Sequence, residues 1–114
     1  MKPKAKPPKH LRAATRRWWE EVFNSYELES HHLKLLTAAG ESWDRAVQAR
    51  ETLAKEGAYY TNRFSEPRSH PALAVERDSK TIFARLVREL NLDIHPPEEN
   101  RPAGVRYNRW SKGE

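Results

Sequence analysis

Positively charged side chains at the start of the sequence are the groups best suited to binding a ligand. Residues 1–19 contain no acidic side chain and carry these seven cations: Lys2, Lys4, Lys6, Lys9, Arg12, Arg16 and Arg17. Lysine and arginine bind phosphates through charge and hydrogen bonds without reading the base sequence. The cluster therefore predicts a contact with a polyanion such as DNA, and a segment that only solubilises the protein is the alternative.

Within this cluster, Arg12 is the best candidate for direct contact with a phosphate backbone. Arg12 and Arg16 lie one helical turn apart, so both can reach the same backbone. Arg16 lies four residues before Glu20, as Arg17 does before Glu21, and such spacing favours weak ion pairs on a helix. Arg12 has no acidic residue at that spacing, so we expect its guanidinium to be available to DNA.

A second pair of cations, Arg63 and Arg68, lies in the stretch "GAYYTNRFSEPRSHP" at residues 57–71. Its "YYT" favours a strand and its "NRFSEP" a turn, which predicts a short β-hairpin at the tip of a helical hairpin. Copies arranged around an axis would repeat both arginines as a ring of positive charge. A connecting loop with solvated arginines is the alternative.

The familiar catalytic patterns are absent from the sequence. The glycines never give the spacing of a phosphate-binding P-loop, and no two histidines have the helical spacing of a metal site. There is no cysteine. Glu76 and Asp78 flank Arg77, which favours structural ion pairs over a nuclease centre. We therefore expect a protein that is not an enzyme and that uses no metal or cofactor.

Apolar residues at helical spacing predict an all-α fold of one domain. A short helix over residues 10–23 carries Trp18 and Trp19, which we expect in the core, with stacking on nucleic-acid bases as the alternative. A long helix follows over 30–56, with Ser30 as N-cap and Gly57 as C-cap, and another over about 71–92, capped by Ser69 or His70. Proline and lysine predict a flexible basic arm at 1–9, and proline and charge predict a flexible tail at 94–114. Residues 10–93 form the helical domain.

The long helix has more apolar surface than one neighbour can cover. It carries two apolar stripes, and a helical hairpin of this size encloses little core, so we expect copies of the protein to associate. The predicted interface consists of Leu33, Leu36, Trp43, Val47, Ile82, Phe83, Leu86 and Leu90. No signal peptide and no membrane-spanning run is visible, which leaves an intracellular protein that is neither secreted nor membrane-bound as the default.

Several short motifs resemble one protein family in their order and spacing. They are "HL" at 10–11, "YELESHHLKLL" at 26–36, "WDRAVQARE" at 43–51, "YTNRF" at 60–64, "PRSHPA" at 67–72 and "ERDSKTIFARLVRELNLD" at 76–93. From about residue 8 to residue 93 the sequence is similar to the small subunit of tailed-phage DNA-packaging terminase. The helical hairpin over residues 30–92 corresponds to the element through which that family oligomerises.

The resemblance implies a ring-shaped homo-oligomer in the cytoplasm of the infected bacterial host. Such a subunit binds viral double-stranded DNA to start genome packaging and passes it to the terminase large subunit, whose ATPase and nuclease it modulates. Many relatives have a complete helix-turn-helix domain ahead of the hairpin, whereas this sequence has only a basic arm and one short helix. Val105–Trp110 is a candidate contact for the large subunit. The alternatives are a small helical DNA-binding transcriptional regulator acting as a dimer, and an interaction adaptor.

Overall fold

The computed structural model describes residues 5–92, which form three helices and one β-hairpin. The elements in chain order are α1 (Ala13–Ser25), α2 (Ser30–Glu56), β1 (Tyr59–Thr61), β2 (Pro67–Ser69) and α3 (Pro71–Leu90). This confirms the predicted helical fold with a small sheet between the long helices. The predicted tail at 94–114, with its Val105–Trp110 segment, lies outside the described residues, as do Lys2 and Lys4.

The long helices α2 and α3 form an antiparallel hairpin. Trp43 packs on Phe83 with 5.0 Å between ring centroids, and Arg50 lies 4.0 Å from Glu76. Residues with higher numbers in α2 therefore contact residues with lower numbers in α3, which shows that the two helices are antiparallel. Small side chains occupy most of the buried positions on these helices, namely Ala39, Gly40, Ser42, Ala46, Ala49, Ala72 and Ser79. Small residues let two helix backbones approach closely.

The ends of the long helices follow the predicted capping residues in all but one case. Gly57 has φ of 87° and donates its N–H to the Leu53 carbonyl over 2.7 Å, which closes α2. His70 caps α3, because its Nδ1 accepts the Ala72 N–H over 3.0 Å. The prediction of Ser30 as N-cap of α2 is wrong. Glu29 holds that position in a reciprocal capping box with His32, and Ser30 is the first helical residue.

The tip of the helical hairpin is the predicted β-hairpin. Its strands are antiparallel, with Tyr60 opposite Arg68 in the middle pair. Asn62 orders the loop, since its Oδ1 accepts the N–H groups of Phe64 at 2.8 Å and Glu66 at 3.0 Å. The loop therefore has a defined shape and presents Phe64, which is 66% exposed, to solvent.

The hydrophobic core lies at the other end of the hairpin, where α1 packs on α2 and on the end of α3. Its buried members are Leu11, Trp19, Val22, Phe23, Leu36 and Leu90. The Tyr26 hydroxyl donates to the Leu92 carbonyl and so joins the turn after α1 to the end of α3. No helix within residues 5–92 is long and apolar enough to span a membrane.

Two residues of the predicted interface belong to this core instead. Leu36 is 0% exposed and Leu90 is 6% exposed within one protomer, so neither side chain reaches a partner without opening the fold. Sequence periodicity places both on an apolar stripe, but it does not show that α1 covers that part of the stripe. We therefore remove Leu36 and Leu90 from the candidate interface.

Candidate nucleic-acid interface and aromatic cleft

The segment before α1 packs against α2 over part of the predicted arm. Ala5 contacts the hydrophobic core, and Leu11 is only 2% exposed. This approach depends on Gly40, because a Cβ there would lie 3.0 Å from Thr15 Cγ2 and 3.3 Å from a Leu11 methyl carbon. The predicted flexible arm at 1–9 is thus packed from Ala5 onward, and residues 1–4 lie outside the described part.

Acidic side chains on one side of α2 hold the residues that lead into α1. The Oδ2 atom of Asp44 accepts the Arg12 backbone N–H over 2.8 Å, and its Oδ1 accepts the Thr15 hydroxyl. Asp44 thereby caps the start of α1 from another helix, which explains why α1 begins at Ala13 rather than at residue 10. His10 Nε2 lies 2.8 Å from Glu41 Oε2 beside it.

The two arginines expected to reach DNA together have partners within the protein. Arg12 donates both of its terminal nitrogens to the Glu51 carboxylate, at 2.8 and 3.3 Å. Arg16 donates to the backbone carbonyls of Lys9, over 3.1 Å, and Leu11. The sequence favours Arg12 as the contact because no acid lies at helical spacing from it, but its acid comes from α2. These two guanidinium groups fix the N-terminal segment.

The remaining cations of the cluster present their charge to solvent. Lys6, Lys9 and Arg17 are exposed, and none of the three forms an ion pair with a described residue. At the tip, the Arg68 guanidinium lies 2.7 Å from Glu66, and that of Arg63 lies 4.9 Å from the Phe64 ring centre. Of the predicted DNA contacts within the described chain, the structure leaves the side chains of Lys6, Lys9, Arg17 and Arg63 outside both ion pairs and hydrogen bonds.

An aromatic cleft lies where α1 meets the helical hairpin. Trp18 and Trp43 both pack against Phe83, with ring centroids 5.6 and 5.0 Å from it, and Ala14 and Thr15 complete the lining. The cleft has a volume of about 280 Å³ and is mostly apolar, and Trp43 remains 41% exposed. Trp18 is half-buried in this cleft, whereas Trp19 lies in the core as predicted.

The opposite flank of the helical hairpin carries a second exposed apolar surface. Val75 and Ile82 are 39% and 43% exposed, and they lie two turns apart on the same side of α3. We call this surface the Val75–Ile82 ridge. Ser79 faces α2 and is buried, so Phe83 and Ile82 lie roughly 40° and 60° to either side of it. The ridge and the aromatic cleft therefore flank the α2–α3 contact on opposite sides.

The described residues offer no metal centre. No group of three or more His, Cys, Asp or Glu side chains converges within residues 5–92. The rings of His31 and His32 lie 4.1 Å apart between centroids and are tilted by 41°, and His32 accepts the Glu29 backbone N–H in the capping box. Their contacts are those of residues that begin a helix.

The arrangement of α1 and α2 differs from that of a DNA-reading pair of helices. A recognition helix needs an open face to enter the major groove. Here α2 contacts α1 on one side, through Trp19 Nε1 and Thr37 Oγ1 at 3.2 Å, and α3 on another. A further side of α2, which carries Glu41, Asp44 and Glu51, is occupied by the N-terminal segment that these carboxylates hold.

Comparison with known proteins adds no assignment, because no family model, no curated protein and no solved structure matches this chain.

Proposed function

We propose that this protein is a small subunit of a phage DNA-packaging terminase. It assembles into a homo-oligomeric ring, binds viral double-stranded DNA at the start of packaging, and passes it to a large subunit that carries the ATPase and nuclease. The motif order described above supports the family. The geometry supports self-association, which separates this function from that of a monomeric adaptor.

The observation that carries the proposal is the apolar surface that one protomer leaves uncovered. Trp43, Val75 and Ile82 are each 39–43% exposed, on two flanks of a narrow helical hairpin. Exposed apolar surface of this kind on both sides of one chain is typical of a protein that contacts other copies of itself.

Binding of DNA is assigned to the cations that the fold does not use. Lys6, Lys9 and Arg17 are exposed, and Lys2 and Lys4 precede them in the sequence. One protomer has a formal charge of +5, so a ring multiplies this charge along one DNA molecule. Contacts of this type hold the phosphate backbone, and they do not by themselves select a DNA site.

Two measurements on the full chain test the proposal. Native mass spectrometry should give a closed oligomer of the 13.3 kDa protomer, with and without duplex DNA. Binding of duplex DNA, followed by anisotropy over a salt series, should weaken steeply as salt rises. A monomer, or a dimer that binds one sequence tightly, would refute the packaging assignment, and the dimer would support a transcriptional regulator.

The DNA surface is tested by removing its charges. The triple variant Lys6→Ala, Lys9→Ala and Arg17→Ala should lower the salt slope by about 0.9 for each phosphate that the protein no longer neutralises. The matched control Lys34→Ala, Lys55→Ala and Arg88→Ala removes the same charge from positions elsewhere on the protein. Equal reductions in both variants would mean that net charge, rather than the N-terminal surface, binds the DNA.

A further inference from the structure

Large apolar side chains stay exposed on both flanks of the helical hairpin, and a single kind of contact can cover both of them. Ring assembly requires a heterologous contact, in which one surface of a protomer binds a different surface of the next. A cleft on one flank and a ridge on the other meet this requirement. A two-fold contact between two clefts would leave every Val75–Ile82 ridge exposed.

We infer that the Val75–Ile82 ridge of one copy packs into the aromatic cleft of the next, with Ile82 between Trp18 and Trp43. This pairing rests on the proposed ring and specifies how its neighbours meet. Val47, half-buried about one turn from Trp43, lies at the height of Ser79, between the heights of Ile82 and Val75, and extends the apolar contact toward the tip.

The positions of the two surfaces along the hairpin fit a closed ring. Rotation about a ring axis moves a protomer without shifting it along that axis, so surfaces that pair must lie at the same height. Ile82 precedes Phe83, which lines the cleft, so the two surfaces differ in height by only about 1.5 Å when the axis runs along the hairpin. The exposed Phe64 at the tip lies far from this height, which excludes it as the side chain that fills the cleft of a level neighbour.

Charges beside the two apolar surfaces are complementary. Glu20 and Glu21 line an adjacent surface pocket that shares Ala14 and Trp18 with the cleft, and Arg17 in the same lining leaves that pocket a net charge of −1. Arg85 lies one turn beyond Ile82 and is exposed. Neither these two carboxylates nor the Arg85 guanidinium forms an ion pair with a residue of the described chain.

The same charges also lie at matching heights. α1 runs opposite to α2, since Thr15 contacts Asp44 and Trp19 contacts Thr37, and it therefore runs in the same direction as α3. Trp18 lies beside Phe83, so the residues that follow each of them are level. When Ile82 enters the neighbouring cleft, Arg85 faces Glu20 and Glu21 of that neighbour. This charge match favours a second copy as the occupant of the cleft.

Mixing two blocked variants tests the pairing. Ile82→Glu spoils the ridge but keeps the cleft, and Ala14→Trp fills the cleft but keeps the ridge. Each variant alone should weaken association about 30-fold or more and run at the protomer mass of 13.3 kDa. An equimolar mixture should form a heterodimer of twice that mass and nothing larger, because each pair retains one intact interface.

Matched controls separate a blocked interface from a damaged fold. Ala84→Glu places the same charge two residues along α3, and Ala13→Trp places the same bulk one residue earlier on α1, both at exposed positions outside the cleft lining. Both should assemble as the wild type does, and helical circular dichroism should be equal in all four variants. Arg85→Glu should weaken assembly, and adding Glu20→Lys with Glu21→Lys should restore it.

The outcomes distinguish this pairing from the proposed function. If the wild-type protein does not assemble, both the pairing and the proposed function are wrong. If the wild-type ring binds DNA and the Ile82→Glu and Ala14→Trp variants still assemble, the proposed function stands and the pairing is wrong. The cleft would then bind another occupant. Full assembly by Ile82→Glu alone, with disruption only in Ala14→Trp, would show a cleft-to-cleft interface and would also overturn the pairing.

Discussion

At the scale of single residues, the Asp44 carboxylate joins two elements that are distant in the sequence. It accepts hydrogen bonds from the Arg12 backbone and the Thr15 side chain, and both donors belong to the start of α1. α1 has no acidic residue in its first turn and no side-chain cap of its own. A charge from α2 therefore supplies the cap, and it ties formation of α1 to its packing against α2.

Removal of this cap should lower stability by an amount typical of a helix cap. We expect Asp44→Ala to reduce the free energy of unfolding by about 1–2 kcal/mol, because it removes both an N-cap hydrogen bond and a hydrogen bond to a charged group. Urea denaturation followed by circular dichroism measures the change. Asp78→Ala is the matched control, since Asp78 is exposed and pairs with its neighbour Arg77. Equal effects of the two substitutions would contradict a capping role.

At the scale of elements, the fit of the N-terminal segment and α1 against α2 depends on a glycine within a helix. Glycine weakens a helix by about 1 kcal/mol relative to alanine, so an alanine at position 40 would favour α2 by itself. The Thr15 methyl and the Leu11 side chain occupy the space that its Cβ would need. Packing of the N-terminal segment and α1 against α2 therefore favours glycine at position 40 of α2.

A double-mutant cycle should show that the effect of Gly40→Ala on the free energy of unfolding depends on the side chain at position 15. In the wild-type background, we expect Gly40→Ala to destabilise the protein by about 1–2 kcal/mol, since overpacking outweighs the gain in helix propensity. In a Thr15→Ser background the hydroxyl that bonds Asp44 is kept and the clashing methyl is removed, so the same substitution should be neutral or stabilising. The four unfolding free energies give the coupling. Additive effects would show that Thr15 does not restrict position 40.

At the scale of the whole molecule, local sequence signals predict the helices and the tip, whereas contacts between distant residues determine the rest. Gly57, His70 and the "YYT" stretch act on their immediate neighbours, so their roles are visible in the sequence. Arg12 meets Glu51 only after the chain folds back, as His10 meets Glu41. Periodicity identifies Leu36 and Leu90 as apolar, but it cannot show which element covers them.

The described part of the chain contains the core and both flanks of the proposed interface, so it should assemble alone. We expect truncation after Asp93 to leave the number of protomers per particle and the melting temperature unchanged, because Tyr26 still bonds the Leu92 carbonyl and every core residue remains. Native mass spectrometry and differential scanning fluorimetry measure the two quantities. The full chain with Ile82→Glu serves as the disassembled reference. Fewer protomers per particle after truncation would place part of the interface in residues 94–114, and would show that the cleft and ridge are not sufficient to hold neighbouring copies together.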